Sequence, residues 1–357
     1  MTTITPVVVP ARLDESAAEP FVAMITVTNE ALRHDIGLDH LDADPAEVLP
    51  GWQDQTYHLR RGFLAHDAGG RAVGSLTFSA PKEEGATEME FELGVLPDAR
   101  GGDVESALFA RLEEEARSLG RSALQTYTAH RIDESARAVP SPSGYGGVPL
   151  DATARTYLDA GFALAQVDRN SAFDLTGSLD AVRRMCEDAV AFAGPDYRLL
   201  TFSPPTPTEL RESLAFVLSR MSTDVPLGAL TVTEEVWDAA RVAVRDERIA
   251  RSGLLVSVAA ILHVPTDRIV AYNDLAIGAD RTRPTHQWGT LVAREHRGHR
   301  LGTIVKCANI LRWHELVPTS PFISTFNAEE NRPMLDVNEA IGFTPLTVGG
   351  AWEKRLD

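Results

Sequence analysis

Apolar residues along the chain fall into two rhythms. In DVESALFARLEEEARSLG, Val104, Leu108, Leu112, Ala116 and Leu119 recur three or four apart. That spacing lines one face of a helix, and Gly120 suits its C-terminal stop. Before it, TYHLRRGFLAHD, RAVGSLTFSA and TEMEFELGVL are short, β-branched and aromatic-containing runs that read as strands. AGGR makes a hairpin-type turn between the first two. The start of the chain adds a strand in TPVVVPAR, an amphipathic helix over 17–35 and a short broken helix in DPAEVLPGWQD. After the long helix come a strand (ALQTYTAH), a Pro/Gly/Ser loop, a helix (DATARTYLDA) and a strand (GFALAQVDRNSAFDL).

The second half repeats this order. A helix near 178–193 leads to the strand YRLLTFS, the helix TPTELRESLAFVLSRM and a further helix near 232–250. The strands LLVSVAAILHV, RIVAYNDLAIG and HQWGTLVA precede the helix LGTIVKCANILRWHEL, the strand PFISTFN, the helix RPMLDVNEAI and a closing GFTPL. Single positions match as well. Val95 stands five residues before Arg100-Gly101, and Val292 five before Arg297-Gly298. TYLDAGF (156–162) aligns with VNEAIGF (337–343). The pattern predicts a tandem of two similar α+β domains, 1–176 and 177–357, joined near residue 176.

Composition narrows the function classes. With 51 acidic against 34 basic residues the formal charge is -17, which repels phosphate backbones and argues against a nucleic-acid partner. The longest apolar run, LLVSVAAILHV, is too short to cross a bilayer. The N-terminus lacks the basic and apolar regions of a signal peptide, so a cytoplasmic protein with no membrane partner is expected. Cys186 and Cys307 show no metal spacing, and two thiols buried in helices are expected. RHDIGLDHLDADP gathers His34, His40 and four aspartates, but its spacing fits no familiar metal site. It reads as an acidic loop or as part of an acceptor site, and no metal is expected.

Against that acidity, HRGHRLGT (296–303) is basic and carries two glycines between a strand and a helix. A turn there aims free N–H groups and the positive end of the helix dipole at one point, and its arginines add charge. A phosphate or diphosphate is the natural guest. The stretch is neither GxxxxGK[ST] nor GxGxxG. It resembles the diphosphate-binding motif [RQ]-x-x-G-x-[GA] of the GNAT superfamily of acyl-CoA N-acyltransferases, with Arg300 where the pattern has its central glycine. The segment 324–343, STFNAEENRPMLDVNEAIGF, is similar to the later strand–helix segment of that superfamily. The tandem layout is similar to that of mycothiol synthases and antibiotic-modifying acetyltransferases.

The resemblance implies two tandem GNAT-type domains, each a mixed, mostly antiparallel twisted sheet flanked by helices. It implies acetyl-CoA as cosubstrate, bound in the second domain by Leu291, Val292, Arg297, Gly298, His299, Arg300, Leu301, Gly302, Thr303, Asn327, Asn331 and Met334. A primary amine of a small molecule would attack the thioester directly, its carbonyl polarised by main chain near Leu291 and Val292. Asp274 and His286 are candidate bases, with Glu295 the weaker choice and Tyr272 a candidate for the acceptor pocket. Many members of the superfamily have a tyrosine four residues before Gly-Phe as acid for the leaving thiolate; here Asn338 holds that place. In the first domain Tyr157 stands there, but the turn reads RGGDVES. Asp103 and Glu105 would repel a diphosphate, so that domain is expected to be degenerate. The alternative function is a non-catalytic acyl-CoA-binding or sensor protein.

Overall fold

The computed structural model describes residues 2–357. The first half runs β1 (Thr3–Val7), α1 (Glu19–Ile36), α2 (Pro45–Gln53), β2 (His58–His66), β3 (Ala72–Pro81), β4 (Glu88–Val95), α3 (Asp103–Ser118) and β5 (Ala123–His130). A small hairpin, β6 (Ala138–Pro140) and β7 (Gly147–Pro149), then α4 (Ala152–Asp159) and β8 (Ala163–Asp174) complete it. The second half runs α5 (Asp180–Ala193), β9 (Tyr197–Phe202), α6 (Arg211–Ser219), α7 (Met221–Asp224), α8 (Ala239–Arg251), β10 (Leu255–His263), β11 (Arg268–Ile277) and β12 (Thr285–Val292). It ends with α9 (Leu301–Leu316), β13 (Phe322–Ala328), α10 (Arg332–Ile341) and β14 (Thr344–Arg355).

All strands except the small hairpin join one sheet, ordered β1-β2-β3-β4-β5-β14-β8-β13-β12-β11-β10-β9. Each half is an antiparallel meander whose last strand meets the next in parallel over a few residues: β4 with β5 at Glu88–Glu90, and β12 with β13 at Thr285–His286. Beyond those residues the two strands of each pair splay apart. The closing strands are exchanged. β8 of the first half pairs with β13, and β14 of the second half lies between β5 and β8.

The exchange is held by packing. Trp352 on β14 is buried in the first-half core, stacked on Tyr157 at 5.9 Å, with its indole N–H donating to Thr128 Oγ1 at 2.8 Å. A buried tryptophan whose N–H is satisfied fixes both apolar contact and register. GFTPL therefore opens a twelve-residue strand, longer than its short apolar run suggests.

The helix expected over 232–250 starts only at Ala239, capped by Asp238, whose side chain accepts from Arg241 N–H. The preceding 225–238 has no regular structure. Two of its amides go to acceptors of the first half, Ala165 and Glu88, and one goes to Glu353 on β14, which lies beside β5. Ala229 N–H donates to Ala165 O at 3.1 Å, Thr231 N–H to Glu353 at 2.7 Å and Thr233 N–H to Glu88 at 3.0 Å. Charged acceptors across the junction outcompete the helical carbonyls, which a helix-period reading cannot anticipate. Cys186 and Cys307 are free and buried, on α5 and α9.

Candidate active site

The splay of β12 from β13 opens a cleft of about 650 Å³. Its wall is Thr290, Leu291 and Val292 on β12, and its mouth is the 297–303 turn. Glu330, Asn331, Pro333, Met334 and Val337 close the β13–α10 side. Among the expected cofactor residues, Leu291, Val292, Arg297, Gly298, Arg300, Leu301, Gly302, Thr303, Asn331 and Met334 line this one cleft. His299 and Asn327 do not. His299 stacks on Tyr197 at 5.0 Å, and Asn327 accepts from Asn338 Nδ2 at 2.6 Å.

Local geometry leaves the turn open and its backbone donors free of side-chain caps. No side chain caps α9, so the N–H groups of its first turn are left for a ligand. Gly298 has φ +85° with nothing near a Cβ position, and a Cβ on Gly302 would meet only Val292 at 3.7 Å. Arg297 is braced by Nε donating to Val292 O at 3.2 Å and Nη2 donating to Asp224 O at 2.8 Å. These residues fit the diphosphate of an acyl-CoA.

Arg300 caps the helix at φ 57°, in the left-handed region, with its guanidinium 4.4 Å from the Phe192 ring. A non-glycine residue there costs about 1 kcal/mol. Arg300→Gly is expected to raise unfolding stability by about 0.5–1 kcal/mol while weakening acyl-CoA binding several-fold through the lost cation. A melt and a titration on the same sample check both signs.

The first-half turn has the same frame and different chemistry. Arg100 Nε donates to Val95 O at 2.9 Å, as Arg297 does to Val292, and Gly101 has φ +73°. Here, however, Glu105 stands where Gly302 is and accepts from Gly101 N–H at 3.1 Å. Arg100 is paired with Asp35 at 2.5 Å, and Asp35 also accepts from Thr153 Oγ1 at 3.2 Å. The turn's donor and its cation are thus both taken by the chain's own carboxylates. The space in the first-half splay is about 100 Å³. Tyr157 is buried between Phe91, Phe109, Phe162 and Trp352, where burial pushes its hydroxyl pKa up.

The candidate bases separate. Asp274 is buried, with Oδ2 accepting from Arg245 at 2.5 Å and Oδ1 from Gly289 N–H at 2.6 Å. Burial pushes its pKa up and Arg245 opposes this; one oxygen holds the β11–β12 bulge through Gly289 and the other holds α8 through Arg245. Tyr272 is buried against Gly289 in the core under α6, which is a packing position. Glu295 is exposed on the turn. Among the described residues His286 makes no side-chain hydrogen bond, and burial, with His40 and Arg283 nearby, lowers its pKa to about 4. It is neutral at pH 7. Asn338 is buried, and its Oδ1 has no partner.

Several cleft residues were not anticipated. Glu330 adjoins Asn331, and Val337 lies one turn beyond Met334, so their neighbours pointed to them. Asp224, Val225 and Pro226 reach the cleft from α7 with no local signal. Arg294 Nη2 donates to Thr223 O at 2.8 Å and Arg294 Nε lies 3.3 Å from Asp224 Oδ1.

A twelve-stranded sheet made of two splayed meanders, with an anion turn at the helix after the splay, is a tandem GNAT fold. Solved structures agree. A tandem GNAT protein from the clavulanic acid biosynthesis pathway superimposes with TM-score 0.73 at 21% identity, covering 99% of this chain and 98% of that one. A GCN5-related N-acetyltransferase from Sphaerobacter thermophilus gives 0.61 at 14% identity, with 99% and 95% covered. One from Anabaena variabilis gives 0.52 at 8% identity, with 100% and 73% covered. No protein-family model matches the sequence. No curated protein matches it either. Among the described residues no group of side chains is arranged to hold a metal, and no helix is long and apolar enough to cross a membrane.

Proposed function

We propose that the protein is an N-acyltransferase that moves the acetyl group of acetyl-CoA to a primary amine of a small molecule, using the cleft of the second half. The observation that carries this reading is the uncapped, glycine-lined start of α9 opening onto the β12–β13 splay. Acetyl-CoA supplies an activated thioester carbonyl. The turn and Arg297 hold its diphosphate. The β12 edge at Leu291 and Val292, unpaired on the splay side, offers main-chain N–H to the carbonyl. Of the candidate bases His286 alone keeps both ring nitrogens without a side-chain partner among the described residues, and because it does not line the cleft it would take the amine's proton through water. The segments 1–176 and 177–357 are taken as the two repeats, the first binding no acetyl-CoA because Glu105 and Asp35 occupy its donors.

Asn338 favours a second reading, a non-catalytic acyl-CoA binder, because an amide is no proton donor near neutral pH. Titration with acetyl-CoA is expected to give one site per chain. Free-thiol release with a panel of primary amines is expected to exceed the amine-free rate. Binding without amine-stimulated release supports the second reading, and no binding overturns both.

A further inference from the structure

The register of the central strands places a continuous strip of side chains on the sheet face opposite α9. In antiparallel pairs directly opposed residues share a face, and along a strand faces alternate. Phe326 opposes Asn170 on β8, and Asp168 lies two residues from Asn170. Asp168 opposes Gly349 on β14, Gly349 opposes Ala129 on β5, and Tyr127 lies two residues from Ala129. Glu90 is opposite Gln125, on the face of Tyr127, and Glu92 follows it on β4. His286 is opposite Ser324, two residues before Phe326, and Trp288 follows His286 on β12.

The strip is a trough. The loop after α1 covers one side, where His40 Nε2 meets Asn170 Oδ1 at 3.0 Å. The 225–238 segment covers the other, where Gln166 donates to Pro226 O at 3.1 Å and Gln125 to Thr231 O at 2.6 Å. Between the covers three aromatic rings are partly exposed: Tyr127 49%, Phe326 43% and Trp288 47%, the last with the Arg245 guanidinium 5.8 Å from its ring. Large rings left in water on a sheet face mark a binding surface. Among the described residues Glu90, Glu92 and Asp168 form no ion pair, and Arg60 is the one cation acting on Glu90. Partial burial, with Glu329 and Glu330 nearby, raises the pKa of Asp168 to about 6. In the loop that covers one side His40 is buried, and its Nδ1 has no partner among the described residues. The trough leads to the cofactor cleft through Glu330, which accepts from Gln166 at 2.9 Å and lines that cleft.

We propose that this trough is the acceptor site and that it takes a polycationic amine, whose ammonium groups stack on Trp288 and Phe326 and pair with Asp168. The assignment rests on the acyltransferase reading above and names its substrate class. Charge complementarity selects the occupant, because an unpaired carboxylate beside partly exposed aromatic faces matches ammonium groups and repels anions. One amine extends toward Glu330 and the thioester, and the others stay in the trough. Both halves contribute, which gives a function to a first half whose own anion turn is closed.

Spermidine, a triamine, and n-butylamine serve as probes, titrated calorimetrically into the full chain without acetyl-CoA. Spermidine is expected to bind at least tenfold more tightly than n-butylamine, with affinity falling as salt rises. Asp168→Asn and Trp288→Ala are each expected to weaken spermidine binding about tenfold. Acetyl-CoA affinity, which the trough does not contact, should stay unchanged and shows that each variant is folded. Equal affinity for the two amines, or a spermidine affinity indifferent to both substitutions, overturns the assignment. Acetyl-CoA titration separates the two claims: cofactor bound and spermidine ignored defeats the acceptor assignment alone, whereas cofactor not bound defeats the acyltransferase reading.

Discussion

Gly302→Glu is expected to weaken acetyl-CoA binding about a hundredfold while leaving the protein folded. The substitution writes into the second half what the first half carries at Glu105. Space is not the issue at the backbone, since a Cβ at 302 meets Val292 at an ordinary 3.7 Å. Residue 302 is in the first turn of α9 with no positive φ, so a side chain there also restores the helix propensity glycine lacks, by about 0.5–1 kcal/mol. Melting temperature is therefore expected to hold or rise. The loss comes from charge. A carboxylate would compete for the N–H groups meant for the diphosphate and repel it in a half-enclosed cleft, on the order of 3 kcal/mol or a hundredfold in affinity. Gly302→Gln carries the bulk without the charge and Gly302→Ala carries neither. Calorimetry on the three should rank them Ala, Gln, Glu in falling affinity. Equal loss in Gln and Glu would mean that bulk alone closes the cleft.

Replacing Lys306 by methionine is expected to stabilise the protein, and most at low pH. Lys306 on α9 is fully buried, donating to Gln287 Oε1 at 2.9 Å with its Nζ 5.2 Å from the Phe343 ring. Burial lowers its pKa to about 7, against about 10.4 in an unfolded chain. Between those values the unfolded state holds more protons. Wild-type stability therefore rises with pH from about 7 to about 10 and bears the full cost of burying the charge below 7. Methionine fills similar volume with no charge, and such replacements gain about 1–4 kcal/mol. Gln287 loses one donor, which takes back about 1 kcal/mol. Denaturant melts at pH 6 and pH 9 should show a gain for Lys306→Met at pH 6 that is roughly halved at pH 9. A gain independent of pH would mean that the amine does not titrate between these values.

The local half of this protein was written in its sequence. Val104, Leu108 and Leu112 defined α3 because a helix buries one stripe, and the structure buries all three. The matched pairs Val95/Arg100 and Val292/Arg297 marked two copies of one unit, and both arginines bond the carbonyl five residues earlier. HRGHRLGT was legible as a strand-to-helix turn because a glycine-containing junction depends on residues within one turn of each other. What the tertiary structure decided was long-range pairing. β14 lies beside β5 and β8 through hydrogen bonds between residues more than 170 apart, and no local pattern encodes a partner strand. Asp274 had the side chain of a base, yet Arg245 and Gly289 consume it, because burial forces a carboxylate to find donors wherever the fold supplies them. The segment 225–238 kept part of a helical pattern and lost its helix to Glu88 and Glu353. The trough of Trp288, Phe326, Tyr127 and Asp168 exists only after two halves share one sheet, since strand register, not sequence distance, sets which side chains meet.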